Sequence, residues 1–74
     1  MLPKLTREEK IQKEFGARLR KLRQEKGISQ ETLAFDAGMD RTYVYSVENG
    51  KRNISLVNIV KLAKALELSA REFF

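Results

Sequence analysis

Apolar side chains return at intervals of three and four residues along almost the whole chain, and no strictly alternating pattern persists beyond a few positions. That period belongs to α-helices with one buried stripe, and it leaves no segment suited to a half-buried strand. The stretches are also bounded. Gly27, Gly38 and Gly50 each close one of them, where a left-handed residue ends a helix without strain. The only proline, Pro3, precedes the first stretch. The pattern predicts a single all-α domain over residues 1–74, with short connections and with residues 1–5 as an N-terminal tail.

Length sharpens the constraint. In a chain of 74 residues, ordering at roughly 1.5 kcal/mol per residue nearly cancels the gain from apolar burial, so such a domain must be very helical, stapled or oligomeric. With no cysteine and no histidine, disulfide staples are excluded and neither transition-metal sites nor histidine-based catalysis is expected. No cofactor is implied. Glu8 with Glu9 and Glu67 with Glu72 fall in capping or exposed positions rather than as a desolvated pair, so no enzyme is expected. The longest apolar run is three residues, as in Leu33-Ala34-Phe35. That is too short for a membrane span or a signal-peptide core, and the expected location is the cytoplasm.

The net charge of +5 points to a polyanionic partner. Its distribution is uneven: residues 1–27 carry nine basic and four acidic side chains, whereas residues 28–74 carry six of each. Within the first segment Arg18, Arg20, Lys21, Arg23 and Lys26 are split around a helix by their spacing. Much of this run therefore reads as solvated surface with a general attraction for a polyanion.

The first helix begins at Thr6, where Thr6-x-x-Glu9 has the form of a capping box. Ile11, Phe15, Leu19 and Leu22 share one of its faces, and it ends at Lys26. Gly16 lies inside this helix at a cost of about 1 kcal/mol relative to alanine, which reflects either simple tolerance or the close approach of another helix. Ser29 caps a second helix over residues 30–37, with Leu33, Ala34 and Ala37 inward. Asp40 caps a third over residues 41–49, with Val44 and Val47 inward. Ser55 caps a fourth, with Leu56, Ile59, Val60, Ala63 and Leu66 as its apolar stripe. Ser69 with Glu72 forms another capping box, which opens a short fifth helix ending at Phe73-Phe74.

Residues 30–49 thus form two short helices joined by a tight turn, with small Ala34 where they cross and Gly38 in the turn. Leu33, Ala37, Met39, Val44 and Val47 fill the wedge beneath them. The third helix rests on this platform with its outer face free, an arrangement that can be laid into the major groove of DNA. Gln30-Glu31-Thr32-Leu33-Ala34, Ala37-Gly38-Met39, Val44 and Val47-Glu48-Asn49-Gly50-Lys51-Arg52 together resemble the lambda Cro and repressor type of helix-turn-helix regulators, the XRE family. The first and fourth helices extend the resemblance over roughly residues 10–74. Asp40-Arg41-Thr42-Tyr43-Val44 with Lys51-Arg52-Asn53 further resembles the controller proteins of restriction-modification systems. Some phage and plasmid regulators carry similar wording. The fold implied is a compact five-helix, lambda-repressor-like domain.

The resemblance implies residue roles. Gln30 matches the position that bonds a DNA phosphate, aided by the positive end of the helix dipole; its bland alternative is an ordinary solvated helix start. Arg41, Thr42, Tyr45 and Ser46 lie on the outer face and become the base-reading set. An arginine there can pair with guanine O6 and N7, and a threonine can offer a hydroxyl and a methyl group. For Arg41 the alternative is a surface salt bridge with Asp40 or Glu48. Tyr43 either reaches a phosphate with its hydroxyl or packs its ring on the platform. Asn49, Lys51, Arg52 and Asn53 clamp the sugar-phosphate backbone or form a solvated polar loop. Glu48 is expected to orient an arginine, either Arg52 or one on the first helix, and Phe35 to be partly packed.

One such domain makes few DNA contacts, and regulators of this type bind paired half-sites as two-fold dimers. Val57, Val60, Leu66, Leu68, Phe73 and Phe74 form the apolar surplus of residues 55–74 and are the candidate dimer interface. The partners implied are an operator in double-stranded DNA, a second copy of the chain and RNA polymerase, with no membrane and no small-molecule effector. The function implied is a transcriptional regulator at its own promoter within a restriction-modification operon. A phage or plasmid repressor, a DNA-binding antitoxin and a protein-interaction module without DNA binding are the alternatives.

Overall fold

The computed structural model describes residues 4–74. Four α-helices follow one another, α1 (Arg7–Lys26), α2 (Gln30–Ala37), α3 (Arg41–Glu48) and α4 (Leu56–Ala65), and a 3-10 turn (Ala70–Phe73) comes last. Of the expected tail, residues 1–3, Pro3 among them, lie outside the described residues; Lys4 and Leu5 are exposed ahead of α1.

Local chemistry sets the helix starts. The Thr6 hydroxyl accepts from the Glu9 amide at 3.1 Å while the Glu9 carboxylate accepts from the Thr6 amide at 2.9 Å, a complete capping box. Ser29, Asp40 and Ser55 each take an amide of the first turn of α2, α3 and α4 at 3.0–3.1 Å. α2 ends at Gly38, whose φ of 69° lets the Met39 amide reach back to the Ala34 carbonyl at 2.8 Å. This closure sets the angle between α2 and α3.

The expected fifth helix is a 3-10 turn of four residues, and its capping box does not form: Ser69 makes no side-chain cap bond. The Glu72 amide is instead taken by the Ser69 carbonyl at 3.0 Å, the three-residue ladder of a 3-10 turn. The amide that the hydroxyl would serve is therefore already taken.

Leu19, Leu33, Leu62, Val44 and Val47 are fully buried, one or more from each α-helix, and Phe15 packs on Phe73 with ring centroids 5.1 Å apart. Ile11, expected on the buried face of α1, is exposed. At 20 residues α1 is far longer than its neighbours of eight to ten, so its first turns overhang the bundle and Phe15, one turn on, is the first side chain to enter the core. Leu56, placed in the stripe of α4, is also exposed: it is the first residue of its helix, and the inward positions begin at Ile59. Phe35, expected to be partly packed, is 84% exposed.

The candidate dimer surface divides. Leu66 and Phe73 belong to the core of the single chain, where the 3-10 turn packs against both α4 and α1. Neither offers apolar area to a partner. Leu68 is half-buried against the same core. Val57, Val60 and Phe74 remain exposed.

Candidate nucleic-acid interface

α3 is held from two sides. Beneath its C-terminal end α1 passes so closely that a Cβ on Gly16 would fall against the Val47 carbonyl oxygen and 2.7 Å from that of Glu48. Of the two readings of Gly16, close approach is the one the structure takes. On the other side the wedge of Leu33, Ala34, Ala37, Val44 and Val47 is buried, with Met39 packed against it. Val44 and Val47 therefore fix the rotation of α3, and Arg41, Thr42 and Tyr45 are exposed on its outer face with Ser46 half-buried. The four residues expected to read bases thus share one face. Arg41 makes no salt bridge with Asp40 or Glu48, since Asp40 is occupied as the cap of α3 and Glu48 points to the other side.

Glu48 is the buried centre of the platform, 4% exposed. Arg23 donates to both of its carboxylate oxygens, at 2.6 and 3.0 Å, Gln30 donates its side-chain amide at 3.0 Å, and Arg20 donates at 3.3 Å. The third Arg23 nitrogen donates to the Ile28 carbonyl at 2.8 Å. Burial by itself would push the Glu48 carboxyl up, but the bonds from Arg23 and Gln30, the charge of Arg23 and the bond from Arg20 outweigh it. The group is held below the usual carboxylate range. The expectation that Glu48 orients an arginine of the first helix is met twice over; Arg52, the other candidate, lies elsewhere.

Arg52 stacks over the Tyr43 ring, its guanidinium carbon 5.1 Å from the centroid. The Tyr43 hydroxyl in turn accepts from the Asn58 side chain of α4 at 3.0 Å. Tyr43 therefore packs on the platform and serves as the surface on which Arg52 is laid. Lys51, Arg52 and Asn53 are exposed along the connector that follows. Asn49 caps α3 and donates its side-chain amide to the Tyr45 carbonyl at 2.8 Å. Gln30 is half-buried at the start of α2, its amide turned to Glu48.

Sequence reasoning missed Asn58 and did not single out Arg20 and Arg23 among the arginines of the first helix. For the arginines a signal existed: positions three apart share a helix face, and a buried acid on α3 needs cations opposite it. The resulting object is a short helix, capped, buttressed and free on one face, with cations along its far end and an amide donor at the start of the helix before it. That is a helix-turn-helix DNA-binding domain, and a family model described as Helix-turn-helix matches residues 19–73. The chain belongs to this family, as the XRE resemblance implies. It is similar to control protein C.MunI of a Mycoplasma species, 51% identical over 61 residues that cover 81% of this chain and 82% of that protein. Among solved structures, the restriction-modification controller protein C.AhdI from Aeromonas hydrophila is 62% identical, with a TM-score of 0.84 over 85% of this chain and 96% of that one. The controller protein C.Esp1396I, solved as a tetramer in complex with its natural 35 base-pair operator, is 34% identical with a TM-score of 0.80 over 86% and 84% of the two chains.

Proposed function

We propose that this chain is the controller protein of a restriction-modification operon, a sequence-specific transcriptional regulator that binds a two-fold symmetric operator, its own promoter included, as a homodimer in the cytoplasm. The observation that carries the reading is the outer face of α3, where Arg41, Thr42 and Tyr45 stand exposed on a helix whose other sides are fixed. The likeness to controller proteins, one of them solved on its operator, supports the same assignment.

In this reading α3 lies in the major groove and Arg41, Thr42, Tyr45 and Ser46 meet base edges. Gln30, Asn49, Lys51, Arg52 and Asn53 meet the backbone on either side, and Tyr43, its ring packed on the platform and its hydroxyl already accepting from Asn58, donates the hydroxyl proton to a phosphate. The second copy covers Val57, Val60 and Phe74, within residues 55–74, and spaces two α3 helices about one turn of DNA apart. RNA polymerase is the partner through which occupancy becomes transcription.

Selection of bound duplexes from a random pool tests the assignment as a whole. A two-fold symmetric consensus is expected; enrichment of single unpaired half-sites would remove the dimer, and no enrichment would remove sequence recognition. On the selected operator Arg41→Ala is expected to lose about 1–3 kcal/mol of discrimination against random DNA, while Arg52→Ala weakens both and flattens the salt dependence by about one. Equal losses on both DNAs for Arg41→Ala would take Arg41 out of the base-reading set.

A further inference from the structure

Resting on that DNA-binding reading, we propose that Arg20 of α1 is a further DNA-backbone contact, held at the edge of the Glu48 cluster and delivered to a phosphate beside the one met by Gln30. Arg23 already balances Glu48 with two short bonds and is nearly buried, its side chain 11% exposed. The charge of Arg20 is therefore surplus to the cluster. Its own bonds, 3.3 Å to Glu48 and 3.4 Å to the side-chain oxygen of Asn49, lie at or beyond the long end of the usual N–H···O range. The side chain is 43% exposed. It is parked rather than locked.

The place is suited to an anion. Arg20 reaches the last residue of α3 and its cap, and it shares one carboxylate oxygen of Glu48 with the Gln30 amide at the start of α2. Residues 28–54, which hold the recognition unit, carry three basic and four acidic side chains, so the unit meets a polyanion with no net positive charge of its own. An arginine from α1 corrects this at the seam between α2 and α3. Moving it breaks two long bonds and leaves Glu48 with Arg23 and Gln30. A phosphodiester oxygen offers a charged acceptor that a guanidinium matches better than the amide oxygen of Asn49. Lys21, the next residue on α1, is exposed but is turned about 100° around the helix, so it feels the same field without facing the seam.

The test is the salt dependence of binding, measured by fluorescence anisotropy on the selected operator and on a random-sequence duplex of equal length. Arg20→Ala is expected to flatten the slope of log K against log salt by about 0.9 per bound protomer on both DNAs. Arg20→Lys should keep the slope, Lys21→Ala should leave it unchanged, and the thermal midpoint of Arg20→Ala should stay within a few degrees of the parent. An unaltered slope in Arg20→Ala overturns the assignment. So does an equal flattening in Lys21→Ala, which would make the effect a diffuse field, and so does unfolding of Arg20→Ala, which would make the residue structural. A parent protein that binds neither duplex overturns the DNA-binding reading itself, a result distinct from all three.

Discussion

Replacing Glu48 with alanine is expected to destabilise the domain by about 3–5 kcal/mol, read as a drop in the urea midpoint, because it strands charges that the fold has already taken out of water. Arg23 would keep only its bond to the Ile28 carbonyl, and Gln30 would lose the acceptor of its side-chain amide. A domain of this size has little more than that in reserve, so the variant should unfold at very low urea. Pairing Arg23→Met with Glu48→Leu should recover much of the loss, since removing both partners leaves no buried charge behind. Failure of the double variant to exceed Glu48→Ala would show that the helices need the ion pair for more than neutralisation. The same residue sets an acid limit. Its carboxyl lies below the usual range in the folded chain, so its contribution is fully present above the unfolded value and is lost as pH falls through the folded one. In Glu48→Gln that part of the acid-side decline in stability should be missing.

How far the sequence disclosed this arrangement depends on the distance over which each feature is decided. Thr6, Ser29, Asp40 and Ser55 were legible as caps because a cap is settled within three residues, and all four bond as their spacing implies. Ser69 with Glu72 has the same spelling and fails, because in a 3-10 turn the Ser69 carbonyl already takes the amide that the hydroxyl would serve. Periodicity gave the buried face of α1 correctly for Phe15, Leu19 and Leu22 yet included Ile11; a period says which way a side chain points but not whether a neighbour stands there. The apolar surplus of the last third was a matter of residue type, and only the fold divides it, with Leu66 and Phe73 inside and Val57, Val60 and Phe74 outside. The outer face of α3 was legible from Val44 and Val47 alone. Its supports were legible only in kind, as an arginine of the first helix or Arg52 beside Glu48: Arg20 and Arg23 meet Glu48 across 28 and 25 residues of chain, and only the crossing of α1 under α3 picks them out.

That crossing yields the second large effect. Alanine normally improves a helix interior over glycine by about 1 kcal/mol, yet Gly16→Ala is expected to destabilise this domain by about 3 kcal/mol. The added methyl would press on the Val47 carbonyl oxygen and lie 2.7 Å from that of Glu48. Backbone oxygens cannot rotate away as a side chain can, so α1 and α3 must separate along their line of contact. The displacement falls on the segment that carries Glu48, and the short Arg23 bonds one helical stretch further along α1 would lengthen with it. Ala17, the next residue, faces solvent, and Ala17→Gly should lose only the propensity difference of about 0.5–1 kcal/mol. Urea denaturation of the two variants therefore gives a sign test at adjacent positions: exchanging glycine for alanine harms position 16, and exchanging alanine for glycine harms position 17. If Gly16→Ala were instead more stable than the parent, α1 and α3 would have to be farther apart in solution than their contact here. If it is less stable but still folded, α3 will have moved relative to α2. In the proposed reading Gln30 meets a phosphate and Arg41 a base edge, so a shift of α3 against α2 should lower affinity for the selected operator more than affinity for random DNA.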